Sequence, residues 1–474
     1  LFEADMNFFF GALWNRKLVK HAEKKNMLGQ EQWGNRAGKC AMDAVMLKQL
    51  SFMVSKLTRT TLISFDKDAK ACYDRMVMSL VNLRAQQIGM PAKVCKFISA
   101  TMDAAHYHVK TSLGISEEHY ESTTDQPLYG SGQGKKDAPS EWLVLSTLIM
   151  GIMSEKTKGA HFCDPENQVS VQRNLDGFVD DVTAFTNDFQ ASLQQQVTWE
   201  VLLSNMQVAA QWWEQLLYAT GGKLELSKCF FYVIDWISDK KTGRVRPATI
   251  EETPGHIQLI QSEDASPILI ERKDTHSAHR TLGTWMNGTE GQKAALMVLR
   301  EKSNHFYRAF GTSAMTQRAA RRAYQNVYLP SMTYPLDNTS LSRKQLHQIE
   351  SKPISTLLPR MGFNRCTSLE IVYGPTDRLG VGIRSLYVEQ GVKKLQQMIK
   401  HIRNGGQVGK MFLIAMKWFQ LRCGTSQSAF EQPTTTIPHE EGLWLVSLRQ
   451  FLAESDTRLL VPAIATTQTY RVND

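Results

Sequence analysis

The chain has 474 residues, 42% of them apolar and 21% charged, with 55 Lys and Arg against 46 Asp and Glu for a net charge of +9. This is the composition of a globular protein with room for two to four domains, and it excludes long disordered or low-complexity architectures. The longest apolar-leaning run, Trp142 to Met153, is too short to cross a bilayer and no charged-then-apolar leader is seen, so an intracellular protein without membrane contact is expected.

The first residue is Leu1 and not Met, as in a fragment. Seven cysteines are scattered singly with no C-x-x-C spacing, which argues against a disulfide framework or a zinc site and fits a reducing compartment. The positive charge is regional: residues 291 to 410 carry 19 Lys and Arg against 6 Asp and Glu, a local net of +13, so the remainder sums to −4. Phosphate backbones are the natural partner of such a region, with a solvated helical face as the alternative.

In chain order, residues 4 to 30 read as helical with a basic tail, and Gln32 to Lys39 form a Gly-containing basic loop before a second helical stretch, Ala41 to Lys56. Thr61-Leu62-Ile63-Ser64-Phe65 reads as a strand that runs into an acidic cluster, Asp66-Lys67-Asp68 through Asp74. A helical pattern over Met76 to Ile88 stops at Gly89-Met90-Pro91. His106 to Ile115 alternates as a strand, in a hairpin ending near Tyr120. Gly130-Ser131-Gly132-Gln133-Gly134 is a loop able to approach a backbone closely, and a helix follows from Pro139 to Glu155.

Gly177-Phe178-Val179-Asp180-Asp181-Val182-Thr183 places two carboxylates in a β-prone run. A single strand would bury one of those charges, so a tight hairpin is expected, with the Asp pair at its exposed tip and Phe178, Val179, Val182 and Thr183 as strand residues. If that hairpin neighbours the strand before Asp68, then Asp68 and Asp180 converge on one point, as a two-metal phosphoryl-transfer site requires. A long helix over 189 to 219 stops at Gly221-Gly222, and Lys223 to Tyr232 returns as a strand. Residues 238 to 270 read as a β-rich insertion. From about Glu290 the chain is helical and basic, then a linker, Thr425 to Pro438, leads to one more helix.

Three motifs in order carry a resemblance: Asp68-x-x-x-x-Tyr73-Asp74, then Gly130-x-x-Gln133-Gly134-x-x-x-x-Pro139, then Phe178-x-Asp180-Asp181. Together they resemble the palm motifs of reverse transcriptases, especially those of non-LTR (LINE-like) retrotransposons, over roughly residues 1 to 400. The resemblance implies an α+β right-hand polymerase fold with fingers, an antiparallel-sheet palm and a helical thumb. Fingers and palm would span 1–286, the thumb 287–424, and 425–474 would be a C-terminal extension.

It also implies an RNA-directed DNA polymerase with an RNA template, a DNA primer and dNTPs as partners. Two Mg²⁺ ions, or Mn²⁺ in their place, would be held by Asp68, Asp180, Asp181 and the Ala69 carbonyl, with Asp66 a competing ligand at the wrong spacing. Lys228 would protonate departing pyrophosphate. Arg36, with Lys39 as a second candidate, would contact the triphosphate, Tyr73 would stack under the sugar and exclude a 2′-hydroxyl, and Gln133 and Gly134 would position the template base and nascent pair. His279 to Met286 resembles the hairpin that grips the primer end, Arg318, Arg321 and Arg322 would track the hybrid duplex, and Leu379-Gly380-Val381-Gly382-Ile383 resembles a segment after the thumb. The sequence departs from the family pattern at Lys135-Lys136-Asp137 and at Ala138, where a Ser commonly precedes the Pro. Two rival readings stay open: an RNA-dependent RNA polymerase, which usually shows Gly-Asp-Asp at the hairpin, and a decayed copy that binds nucleic acid without catalysis. No endonuclease, Cys-His knuckle or ribonuclease H carboxylate set is apparent.

Overall fold

The strand expected before the acidic cluster is β1 (Leu62–Lys67), and it has partners on both faces. Leu62 packs toward one hydrophobic core while Ile63 and Phe65 pack toward another, so all six residues are buried. A computed structural model of the chain describes residues 5–125, 129–188, 198–238, 245–425, 427–434, 442–462 and 464.

Helices α1 (Asp5–Lys24) and α2 (Ala41–Thr58) precede β1, and the short α3 (Cys72–Arg75), α4 (Met78–Gln87) and α5 (Ala92–Asp103) follow it. The hairpin β2 (His106–Thr111) and β3 (Gly114–Glu121) turns at Ser112-Leu113, so Gly114 and Ile115 belong to the second strand and not to the first as expected. Then come α6 (Ala138–Lys156), the ribbon β4 (Ala160–Cys163) and β5 (Ser170–Arg173), the hairpin β6 (Leu175–Phe178) and β7 (Asp181–Asn187), and α7 (Trp199–Ala219). The first nine residues of the expected long helix, 189–197, lie outside the described residues. Strand β8 (Phe230–Ile234) follows, then pairs β9 (Trp236–Ser238) with β10 (Val245–Pro247) and β11 (Gln258–Ile260) with β12 (Pro267–Leu269), the short β13 (Glu271–Arg272), and a hairpin of β14 (His279–Thr281) and β15 (Thr284–Met286). Helices close the chain: α8 (Lys293–Thr312), α9 (Gln317–Ala323), α10 (Leu329–Thr333), α11 (Arg343–Arg360), α12 (Leu369–Tyr373), α13 (Leu386–Asn404), α14 (Gln407–Cys423) and α15 (Leu443–Glu454).

The main sheet has the order β13-β8-β1-β7-β6, antiparallel except for β13 beside β8. One face, with Leu62, Phe185, Tyr232 and Ile234, packs on α2, and α14 and α15 extend that core. The other face, with Ile63, Phe65, Ala184 and Phe231, packs on α6 and α7. The helices of the expected thumb range, 287–424, divide between cores: α8 to α12 share one of their own, while α14 joins the core on the α2 face of the sheet together with α15 from the expected C-terminal extension. Among the described residues no helix is long and apolar enough to cross a membrane.

A buried ion cluster ties α2 to α13. Asp43, in the first turn of α2, accepts from Lys400 at 3.1 Å and lies 2.9 Å from His401. Burial alone would raise the Asp43 carboxyl, but the bonds from His401 and Lys400 outweigh it and hold it at about 2. A depressed carboxylate stabilises the fold above its unfolded value of about 3.9 and loses that contribution as pH falls toward the folded value. Between about pH 4 and pH 2 the wild type should therefore lose stability that Asp43→Asn, already weaker at pH 7, does not lose. Urea melts of both proteins at each pH check this.

Candidate active site

Continuing the β1–β7 register by one step, from Lys67 opposite Val182, sets Asp68 against Asp181 at the end of the central strand. The Asp68 and Asp180 carboxyls are within hydrogen-bond reach of each other. With Tyr73, Asp181 and Lys228 they line one cleft of ≈ 520 Å³, which the β14–β15 hairpin also lines at Arg280 to Gly283. The acidic cluster and the Asp-Asp hairpin, 112 residues apart, thus meet as expected.

The hairpin turn is not where the sequence predicts it. Phe178 pairs with Asp181, so the turn is Val179-Asp180, and Asp181 is the first residue of β7. Nor is the tip exposed, since Asp180 and Asp181 are both half-buried in the cleft. Val179 makes the turn at φ +61°, a left-handed conformation that β-branched residues rarely adopt and that costs about 1–3 kcal/mol.

What holds it is a clamp from the loop before α2. The buried Gln32 amide accepts from the Val179 N–H at 3.0 Å and donates to the Val179 carbonyl at 3.1 Å. The same amide accepts from Gly34 N–H and donates to Ser146 on α6, both at 3.0 Å, so all its polar valences are filled. The Trp142 indole donates to the Val179 carbonyl at 2.6 Å. A Cβ at Gly34 would stand 2.6 Å from the Val179 nitrogen, so a side chain there would displace the turn.

The carboxylates repel one another in a partly dry site. Burial first, then the Asp68 charge, raises Asp180, and Lys228 opposes this. Burial pushes Asp181 up to about 7, with Asp66, Asp68 and Asp180 adding to the rise and Lys48 opposing it. Hard oxygen donors gathered in one partly dry cleft, two of them, Asp180 and Asp181, held above the usual carboxylate range, are chemically suited to a hard divalent cation. The Ala69 carbonyl remains available for the same ion. Bonds from Lys70 N–H to Lys223 and from Glu225 N–H to Asp68 flank Ala69, so its own carbonyl is not consumed by its pairing with Leu224.

Asp66 lines the same cleft and spends only its Oδ1 on partners, leaving a buried Oδ2 without a hydrogen bond. It is paired with Lys48 and accepts from Thr183 at 2.8 Å, on the α2 face of the sheet. Lys48 in turn lies 3.0 Å from His279 Nε2, and His279 Nδ1 lies 2.8 Å from the Tyr232 hydroxyl. This buried chain joins α2, the sheet and the β14–β15 hairpin. The hairpin is also held from the helical side: its turn, Leu282-Gly283, has φ values of +46° and +88°, and the Tyr334 hydroxyl donates to the Leu282 carbonyl at 2.8 Å.

Lys228 forms an ion pair with Asp68 that raises its own pKa. It sits in a single 3₁₀ turn, Leu226–Lys228, and not in the expected strand, which begins only at Phe230. Tyr73 is half-buried in the cleft, its hydroxyl pushed up to about 12 by burial, Cys72 and Asp180. The Gly130 to Gly134 loop lies on the turn carrying Tyr73: Ser131 N–H donates to the Tyr73 carbonyl at 2.8 Å and Gln133 N–H to Asp74 at 2.7 Å. A Cβ at Gly130 would be 2.3 Å from the Tyr73 carbonyl, so only glycine fits. Gln133 and Gly134 are exposed beside Asp74 and do not line the cleft. The Lys135-Lys136-Asp137 departure is built into the fold, because Lys135 pairs with the buried Asp137 at 3.1 Å at the start of α6.

Arg36 is not in the cleft. Its guanidinium binds Glu23 at 2.9 Å and the Gly29 carbonyl at 2.7 Å, bracing the loop against α1. Lys39 lies over the Trp33 ring at 4.6 Å, with burial, then Arg36, lowering it to about 8. Arg318, Arg321 and Arg322 are exposed on α9, with Arg321 over the Phe363 ring at 5.6 Å. Leu379 to Ile383 folds back on α12, Val381 N–H donating to Ile371 and Ile383 N–H to Val372. Sequence reasoning missed Gln32, Trp142 and Lys48, and it named His279 only as the start of the hairpin, without its buried partners. Only Lys48 left a signal, as a lysine among the apolar residues of α2.

No family model and no curated protein matches the sequence. Among solved structures it is similar to telomerase from Candida albicans in complex with a TWJ fragment of telomeric RNA, at 12% identity and a TM-score of 0.32 over 85% of this chain and 56% of that one. It is also similar to apo telomerase from Candida tropicalis, at 10% identity and 0.33 over 84% and 59%. The chain thus spans less than two thirds of those proteins. At such TM-scores the likeness carries no weight in assigning a function, which rests on the cleft.

Proposed function

We propose that the chain is an RNA-directed DNA polymerase core, of the reverse transcriptase type found in LINE-like retrotransposons. The observation that carries this reading is the meeting of Asp68, Asp180 and Asp181 at the end of β1, with Lys228 against Asp68 and the β14–β15 hairpin lining the same cleft. Asp68, Asp180, Asp181 and the Ala69 carbonyl would hold two Mg²⁺ ions. Such ions, when bound, make a primer hydroxyl a better nucleophile and neutralise charge on the transferring phosphoryl group.

The chain's own residues do the rest. Lys228, kept protonated by its pairing with Asp68, is an acid for the leaving pyrophosphate. Tyr73 forms a wall of the cleft where a sugar would stack, and the rigid Gly130 to Gly134 loop holds that wall in place. Arg280 to Gly283, fixed by the Lys48–His279 chain and by Tyr334, would seat the primer end.

The test is primer extension on an RNA template with Mg²⁺, offering deoxynucleotides or ribonucleotides. Incorporation of deoxynucleotides supports the reading, preference for ribonucleotides would favour an RNA polymerase, and duplex binding without extension would leave only a binding remnant. If Tyr73 excludes the 2′-hydroxyl, Tyr73→Ala should raise ribonucleotide incorporation relative to deoxynucleotide by about 10- to 100-fold, the worth of a small steric group in a pocket. An unchanged ratio of kcat/KM values would remove Tyr73 from that role.

A further inference from the structure

The β2–β3 hairpin gives no residue to the hydrophobic cores found among the described residues, and nearly all its side chains are exposed. A two-stranded hairpin on its own is marginal in water. Its pairing sets His106 opposite Glu121 and His108 opposite His119. Residues two apart on a strand share a face, so three imidazoles and a carboxylate stand on one side. On the other side Tyr107 and Tyr120 stack at 5.2 Å.

His106 Nε2 lies 3.0 Å from Glu121 Oε2, and His119 Nε2 lies 3.8 Å from the same oxygen. One ligand atom from each of the three residues falls within 4.8 Å of the others, and among the described residues only this cluster of His, Cys, Asp and Glu does so. The His106 and His119 rings stack at 4.2 Å. Tetrahedral bonds of about 2.0 Å place ligand atoms about 3.3 Å apart. The two measured separations bracket that edge, so small side-chain rotations close the three atoms on an ion. Two imidazoles with one carboxylate favour Zn²⁺ and its neighbours over Mg²⁺.

We propose that the β2–β3 hairpin is a metal site that takes a divalent first-row transition ion such as Zn²⁺ on His106, His119 and Glu121. His108, 5.3 Å from His119 ring to ring, is the nearest further donor. Its Nδ1 is 3.0 Å from the Ser116 carbonyl, and donating that proton leaves Nε2 free to bind. The ion would cross-link two strands that no core supports. This site is separate from the cleft, which none of the hairpin residues lines.

The experiment is calorimetric titration of chelator-stripped full-length chain with Zn²⁺, in excess Mg²⁺ to occupy oxygen sites, followed by Co²⁺ substitution. One equivalent should bind, and Co²⁺ should give the visible bands of a four-coordinate site. His119→Ala and Glu121→Gln should each weaken Zn²⁺ by at least about 100-fold, more than loss of a supporting group does, and should abolish those bands. His106, His119 and Glu121 are exposed or nearly so, so these changes open no core, and circular dichroism checks the fold. Unchanged Zn²⁺ binding in both variants, or none in folded wild type, would overturn the proposal and leave an ordinary His–Glu ion pair.

Discussion

Asp180→Asn should reduce primer extension by roughly 10³-fold, the kinetic equivalent of about 4 kcal/mol, while leaving affinity for template-primer duplex unchanged. The substitution keeps the shape of the turn and removes one charge from a cluster whose members already repel one another. Stability should move the other way. Asp181 is pushed up to about 7 chiefly by burial, so the folded state holds its proton more tightly than the unfolded chain does. Such a group lowers stability as pH rises from about 4 to the folded value. Metal-free Asp181→Asn should accordingly melt above wild type at pH 8, with the difference vanishing below about pH 4. Added Mg²⁺ should raise the wild-type Tm and narrow or reverse the gap. Full extension by Asp180→Asn would remove the catalytic assignment, and a lower Tm for metal-free Asp181→Asn would mean that the cluster is not under electrostatic strain.

The second large effect is expected at a residue that touches no substrate. Gln32→Ala removes four hydrogen bonds, two of them to the backbone of Val179, and leaves a strained turn without its support. Loss of buried partners of this kind costs about 1–3 kcal/mol, and a shift near 1 Å in the carboxylates it presents is enough to lose about 10²-fold in kcat. Val179→Gly supplies the rescue, because glycine adopts φ +61° without penalty. The double variant should recover part of the lost stability and rate, a coupling that independent sites would not show. Wild-type kcat in Gln32→Ala, measured beside urea melts of the four proteins, would mean that the turn holds its shape unaided.

These two residues also show what sequence can and cannot reveal. The strand before Asp68 and the Asp-Asp hairpin are legible because charge interrupts β-prone runs, and both elements form. The position of the turn is not, because Val179 goes left-handed through a glutamine 147 residues upstream. A loop arginine reads as a phosphate ligand until Glu23, thirteen residues earlier in α1, is seen beside it. Lys228 falls among β-formers, yet its turn is set by bonds from Lys228 and Cys229 back to Glu225 and Leu226. Helical propensity is visible throughout 287 to 424, but nothing in it tells which helix returns to the main sheet.

That return has a consequence for how the chain is made. The sheet face bearing Leu62, Phe185 and Tyr232 shares its core with Met411, Phe412, Phe419, Trp444 and Leu448. Residues 179 to 386 positions apart in the chain come together late, since the loop they define must first be paid for in entropy. On the ribosome the strands of the main sheet emerge long before α14 and α15, so the part of that core which these two helices cover stays wet until they form.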